Sequence, residues 1–179
     1  MDLTRKQKQI LDLELVSANS VNVICGSVLV DKTFDIQSMS RAVNELFRIN
    51  DVLRIKIVYQ NGTYSQSIES FKEKEVEVNR FDNKAELHDY AKKQASIPFD
   101  ISGQLCEIKI IMGEGFSGVL YKLHHIIADA WTLSLLATQF NRLMNGEEVE
   151  AYSYRDHIKK DSKYFFSKRC EKDKLFYIE

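Results

Sequence analysis

The sequence contains no apolar run approaching the roughly 20 consecutive residues that a bilayer-spanning helix needs, so no membrane span is expected. It has no excess of charge either. Lys and Arg number 25 against 26 Asp and Glu, the net charge is −1, and the two signs are interspersed. That balance removes the whole-chain electrostatic case for nucleic acid or an anionic membrane as a partner. The polar start Met1-Asp2-Leu3-Thr4-Arg5-Lys6-Gln7 lacks the apolar stretch of a secretory signal, and a cytoplasmic protein is expected. Cysteine is scarce and odd in number: Cys25, Cys106 and Cys170 lie far apart and fit neither a disulfide framework nor a zinc ribbon. Cys25 and Cys106 fall in strand-like segments, where a buried free thiol is the plain reading. A Cys106 nucleophile activated by His125 is the sharper reading, with no local residue to support it. Phosphate-cradling glycine motifs, internal repeats and linkers rich in Pro, Gly or Ser are all absent.

What is present is enough for one compact domain. A chain of 179 residues with 44% hydrophobic residues can bury a substantial core. Helical periodicity predicts a short helix over Leu3 to Leu15, a second over Asp35 to Ile49 and a third over Lys84 to Ser96, which Pro98 stops. A fourth is predicted over Thr132 to Met144, ended by Asn145-Gly146, and one or two more between Tyr152 and Ile178. Branched and alternating runs predict strands over Val21 to Val30, Val52 to Tyr59, Thr63 to Ile68, Val76 to Phe81, Leu105 to Met112 and Phe116 to Leu123. Asn61-Gly62 is a hairpin turn between two of them. Interleaved strands, hairpins and helices indicate the α/β class, in its mixed α+β form: a mixed sheet covered by helices.

The candidate site lies at the end of the last strand, in His124-His125-Ile126-Ile127-Ala128-Asp129-Ala130-Trp131. Strand alternation puts Val119, Tyr121, Leu123 and His125 on one side and Leu120, Lys122 and His124 on the other. The two imidazoles therefore point apart, one inward and one able to face a cleft. Adjacent histidines on a strand are poor chelators of a single metal, and His88 and His157 have no supporting context, so no metal site is expected. Asp129, after a short turn, is placed either to cap the following helix or to pair with a cation. Arg54 reads by itself as a solvated strand arginine.

His124-His125-x-x-x-Asp129 followed by a small residue resembles the His-His-x-x-x-Asp-Gly signature of the chloramphenicol-acetyltransferase-like acyltransferases. The Trp131 that follows makes it most similar to the condensation domains of nonribosomal peptide synthetases. Ala130 stands where that family usually has Gly, adding a methyl group that disfavours positive φ. Other segments resemble family elements in the family's order. Leu3-Thr4-Arg5-Lys6-Gln7 matches an opening Leu-Thr-x-x-Gln element. Asn50-Asp51-Val52-Leu53-Arg54 is similar to Arg-His-Glu-x-Leu-Arg, with Leu53 and Arg54 matching, Asp51 in place of Glu, and Ile49 and Asn50 in place of Arg and His. Pro98-Phe99-Asp100-Ile101-Ser102 matches a Pro-Phe-Asp-Leu-Ser turn, followed by Gln104-Leu105 where the family tends to have Pro-Leu. Asp173 to Tyr177 stands near a usual Tyr-Trp element.

The resemblance covers residues 1–179 as the first lobe only of a two-lobed unit, a chloramphenicol-acetyltransferase-like half-domain whose C-terminal lobe is missing. It implies amide bond formation between thioesters carried on the phosphopantetheine arms of peptidyl and aminoacyl carrier domains. No cofactor of its own is implied, and an adenylation domain is expected in the same assembly line. His125 is implied as the imidazole that accepts the amine proton or holds the amine for attack, with His124 as its structural neighbour. Asp129 is implied as a scaffold residue held by Arg54 in a buried ion pair, so that its loss is expected to abolish soluble folding or activity. A site with one wall cannot exclude water or align two thioesters, so the chain alone is expected to be inactive. Two alternatives stand beside this reading: a noncatalytic fragment that binds carrier domains or a partner lobe, and another member of the superfamily, such as an epimerisation domain or a small-molecule acetyltransferase.

Overall fold

The computed structural model describes residues 1–17 and 19–176. Helix α1, Arg5–Val16, starts at a capping box. Thr4 Oγ1 accepts the Gln7 N–H at 3.3 Å while Gln7 Oε1 accepts the Thr4 N–H at 2.9 Å, which satisfies two of the helix's free donors. A 3-10 turn over Ser20–Asn22 leads into β1, Val23–Val30. The predicted strand begins two residues late because the Asn19 side chain accepts the Val21 N–H at 2.9 Å and holds a turn there. Helix α2, Ile36–Ile49, is capped by Asp35, whose carboxylate accepts the Ser38 N–H at 2.8 Å.

The predicted strand over Val52 to Tyr59 is corrected. Asp51–Arg54 form a 3-10 turn and β2 runs only over Ile55–Gln60. Asn61 and Gly62 then take φ of 52° and 78°, the pair of positive values a two-residue type I′ hairpin demands, before β3 at Thr63–Ile68. Strand β4 is Val78–Phe81, α3 is Lys84–Ala95, β5 is Cys106–Gly113, β6 is Phe116–His124 and α4 is Ala130–Met144. The aromatic and charged tail forms α5, Tyr154–Phe165, and α6, Lys168–Phe176; Tyr177 and Ile178 lie outside the described residues.

Four strands form one mixed sheet in the order β1-β6-β5-β4. Strands β1 and β5 run antiparallel to β6, and β4 runs parallel to β5. The β2-β3 hairpin is a separate two-stranded sheet. Two glutamines tie it to α1. Gln7 Nε2 donates to Gln66 Oε1 at 2.9 Å, and Gln66 Nε2 donates to Gln7 Oε1 at 2.8 Å. Both side chains are buried, so this mutual amide pair is what lets the Leu-Thr-x-x-Gln element carry a polar residue into the core.

Every residue of β6 is buried. A strand covered on both faces has an apolar partner for each side of its alternation. Val119, Tyr121 and Leu123 face one cluster, with Met39, Val43 and Leu46 of α2 and Leu136 and Phe140 of α4. Leu120 faces the other, with Ile111, Phe116, Phe81 and Leu87 of α3. Each of these large side chains stabilises the fold by about 1.5–3 kcal/mol through burial. Cys106 is fully buried and its thiol is pushed up to about 12 by loss of hydration, which removes it as a nucleophile.

Gly118 is the position where β6 most needs a hydrogen in place of a side chain, because a Cβ there would overlap the Val28 carbonyl of β1. Gly118→Ala must push the two strands apart, and a loss of about 1–3 kcal/mol is expected from such overpacking. Urea denaturation checks this, and an unchanged midpoint would show that the β1-β6 pair tolerates the methyl group.

Candidate active site

The end of β6 is held from several directions. The His124 N–H donates to Leu105 O at 2.9 Å, the His125 N–H to Asn22 O at 2.8 Å, and the Ile127 N–H to His124 O at 3.0 Å, closing a tight turn. Ile126, Ile127 and Ala128 are buried and pin that turn to the core, while His125 and Asp129 on either side of them are exposed. The three intervening residues of the motif are thus its anchor, and their apolar character leaves the two polar ends at the surface.

His124 is only 1% exposed. Its Nδ1 accepts the Ile126 N–H at 3.0 Å, so the proton of the neutral ring resides on Nε2. Nε2 lies 3.4 Å from Glu14 Oε2, near enough for attraction but without the alignment of a full hydrogen bond. Burial holds the pKa below the ordinary histidine value, because the charged ring would lose its hydration; the Glu14 carboxylate opposes this and the adjacent His125 adds to it. The Phe99 ring packs against His124 in an edge arrangement at 6.0 Å. The Lys122 ammonium sits 4.5 Å from the centre of the same ring and 3.6 Å from Glu107 Oε1. The turn that presents Phe99 is closed by Asp100, whose Oδ1 accepts from the Ser102 N–H at 2.9 Å and the Ser102 hydroxyl at 2.7 Å. That explains the Asp and Ser of the Pro-Phe-Asp-x-Ser element.

The expected ion pair between Asp129 and Arg54 is not formed. Asp129 is the N-cap of α4: Oδ1 accepts the Thr132 N–H at 2.8 Å and the Thr132 hydroxyl at 2.8 Å, and Thr132 Oγ1 accepts the Asp129 N–H at 3.2 Å. These bonds, with a smaller contribution from nearby His125, hold the carboxyl below its ordinary range. Exposed at a helix N-terminus, the carboxylate has donors and needs no buried counter-charge.

Arg54 sits in the 3-10 turn just beyond α2, where free carbonyls are at hand. Nε donates to Phe47 O at 2.8 Å, Nη1 to Glu69 O at 2.6 Å and Nη2 to Arg48 O at 3.5 Å. It caps the end of α2 and binds the strand exit after β3, neither of which is the work of a solvated strand arginine. Its neighbours in the second motif also close helix ends. Asn50 Nδ2 donates to Leu46 O in the last turn of α2 at 3.0 Å and also to Gln139 Oε1 within α4 at 2.8 Å, and Asp51 Oδ1 accepts the Tyr154 N–H at the start of α5 at 2.6 Å.

Ala130 is the first residue of α4. Asn61 alone has positive φ among the described non-glycine residues, so the methyl group in place of the usual hydrogen is carried without backbone strain. Among the described residues, no three His, Cys, Asp or Glu side chains come together to hold a metal ion. Glu14, Asn22 and Phe99 also build the site. Phe99 could be found through its turn motif, whereas Glu14 and Asn22 stand in unremarkable helix and strand-entry sequence with no spacing to mark them.

A buried strand that ends in one enclosed and one exposed imidazole, followed by a capped helix, thus sits in a mixed sheet covered by helices, the fold shared with solved condensation domains. The model of the condensation-domain family matches residues 1–178, and the chain belongs to that family. It is 23% identical over 190 aligned positions to one of the plipastatin synthase proteins of Bacillus subtilis (strain 168), covering 99% of this chain and 7% of that one. It is 26% identical over 159 positions to nonribosomal peptide synthetase tcpP of Claviceps purpurea (strain 20.1), covering 86% of this chain and 7% of that one. Among solved structures, the starter condensation domain of rhizomide synthetase RzmA matches with a TM-score of 0.89 at 15% identity, over 99% of this chain and 44% of that one. The first condensation domain of the CDA synthetase matches with a TM-score of 0.81 at 14% identity, over 98% and 49%. The chain therefore shares the condensation-domain fold and spans about half the length of those structures.

Because Asp129 acts as a helix cap, Asp129→Ala is expected to cost about 0.5–2 kcal/mol and to leave a folded chain, while Asp129→Asn keeps most of the stability. Thermal or urea unfolding of the two variants checks this. Failure of Asp129→Ala to fold at all would restore the stronger scaffold role implied by the family resemblance.

Proposed function

We propose that this chain is the N-terminal lobe of a condensation domain, and that His125 serves amide bond formation between carrier-bound thioesters once a C-terminal lobe closes over it. The observation that carries this reading is the exposure of His125 at the end of a strand buried along its whole length. In the reaction, the amine nitrogen of one substrate attacks the thioester carbonyl of the other, the C–S bond breaks, a thiolate leaves and the nitrogen gives up a proton. His125 either accepts that proton or holds the amine in line for attack. His124, enclosed and neutral, acts through the turn it stabilises.

The surroundings support a covering partner. Trp131 is 79% exposed two residues beyond the capping aspartate, and Val21 is 55% exposed beside the Asn22 whose carbonyl holds the His125 main chain. Large apolar side chains on the rim of a polar site fit a surface closed by another lobe. Without that lobe, His125 stands in open solvent, where orientation of two substrates and exclusion of water are lost. Carrier domains bring the substrates on phosphopantetheine arms, an adenylation domain loads them, and the chain supplies no cofactor of its own.

Two loaded carrier proteins are incubated with the purified chain, with and without a separately expressed C-terminal half, and the amide product is followed by mass spectrometry. No turnover is expected from the chain alone, and turnover is expected on adding the second half. His125→Ala in the assembled pair is expected to lower the rate by about 10²–10⁴-fold if proton transfer is its task. Carrier binding by the assembled pair without any product would favour a noncatalytic carrier-binding fragment. Product from the chain alone would overturn the half-site reading.

A further inference from the structure

Glu14 lies in the last turns of α1 with its side chain 11% exposed, facing the end of β6. A carboxylate so enclosed has lost most of its hydration and requires donors in return. Asn22 Nδ2 donates to Glu14 Oε2 at 2.5 Å, and His124 Nε2 lies 3.4 Å from the same oxygen. The main-chain carbonyl of Asn22 in turn accepts the His125 N–H. One carboxylate oxygen therefore meets the ring of the first histidine and, through a single asparagine, the main chain of the second.

The ring geometry gives this contact a consequence. The Ile126 N–H points at His124 Nδ1, which must present a lone pair to accept it. If the ring proton moved to Nδ1, two donors would face each other and the turn would lose a buried hydrogen bond. An electron-rich oxygen beside Nε2 opposes this by favouring the proton there, and Glu14 Oε2, 3.4 Å away though not aligned for a full hydrogen bond, is that oxygen. We propose, on the reading of His125 given above, that Glu14 is a positioning residue for the histidine pair. It selects the Nε2–H form of His124 and, through Asn22, fixes the main chain from which His125 projects.

The test uses the purified chain and requires no turnover, so its failure is distinct from failure of the condensation reading. Nitrogen-15 spectra of the imidazoles report the tautomer, and amide hydrogen exchange reports the turn. Wild type is expected to show the Nε2–H form at His124 and slow exchange at His125 and Ile126. Glu14→Ala is expected to give mixed tautomers at His124 and to speed both amides by about tenfold, the order that weakening one buried hydrogen bond produces. Amides of Ile110 and Val119, paired in the middle of the sheet, are expected to stay as in wild type. Glu14→Gln keeps an oxygen in the same shape and is expected to restore both signals; failure of either to return in a folded Glu14→Gln chain overturns the proposal. In a folded Glu14→Ala chain, either readout remaining at its wild-type value overturns the proposal, as does uniform acceleration across the sheet. If Glu14→Ala does not fold, Asn22→Ala decides: faster exchange at His125 with an unchanged His124 tautomer supports the link, and unchanged exchange overturns it.

Discussion

The end of β6 is where burial and exposure divide, and the candidate site depends on that division. A strand enclosed on both faces can end in a polar pair only if the enclosed member finds hydrogen-bond partners and the chain leaves the core at once. Here the Ile126 N–H meets the enclosed imidazole, and Ile126, Ile127 and Ala128 return the chain to the apolar interior before the next helix begins. The exposed imidazole between these anchored residues belongs to a turn that cannot shift without disturbing the core on one side or the α4 cap on the other. An exposed imidazole on a surface turn thereby gains the fixity of a sheet residue.

The layers around β6 give the chain a core of its own. Among the described residues, helices α2 and α4 pack against one face of the sheet and α3 against the other. In this account the expected inactivity of the isolated chain is a matter of geometry and solvent rather than of folding. The motif outside the site fits the same picture: Asn50, Asp51 and Arg54 join the end of α2 to α4, the start of α5 and the exit of β3. Their role in the described chain is to lock helix ends together.

Much of this was legible because the decisive signals are local. Period-two alternation placed Leu123 and His124 on opposite faces, Asn61-Gly62 demanded its hairpin, and Asp35 preceded a helix with a strong apolar stripe. The histidine motif pointed to the end of β6 and alternation set its two imidazoles on opposite sides, while His125 was singled out by the family resemblance alone. What escaped depends on distance in space. Whether Arg54 would reach Asp129 or the α2 carbonyls turns on a 3-10 turn that the branched run Val52-Leu53 disguised as strand. A basic residue five positions beyond a helix end was the available sign, since such residues commonly satisfy the last carbonyls. Glu14 meets His124 across a separation that no periodicity connects. Asp129 had two local readings, cap or cation partner, and the Thr three residues later was the clue in favour of the cap.

The contrast between the two imidazoles is most directly measured by histidine modification with diethyl pyrocarbonate on the native chain, mapped residue by residue by mass spectrometry. The account predicts that His125 reacts at a rate comparable with exposed His88 while His124 is protected until the chain unfolds. Equal reaction of the two neighbours, or protection of His125, would contradict it.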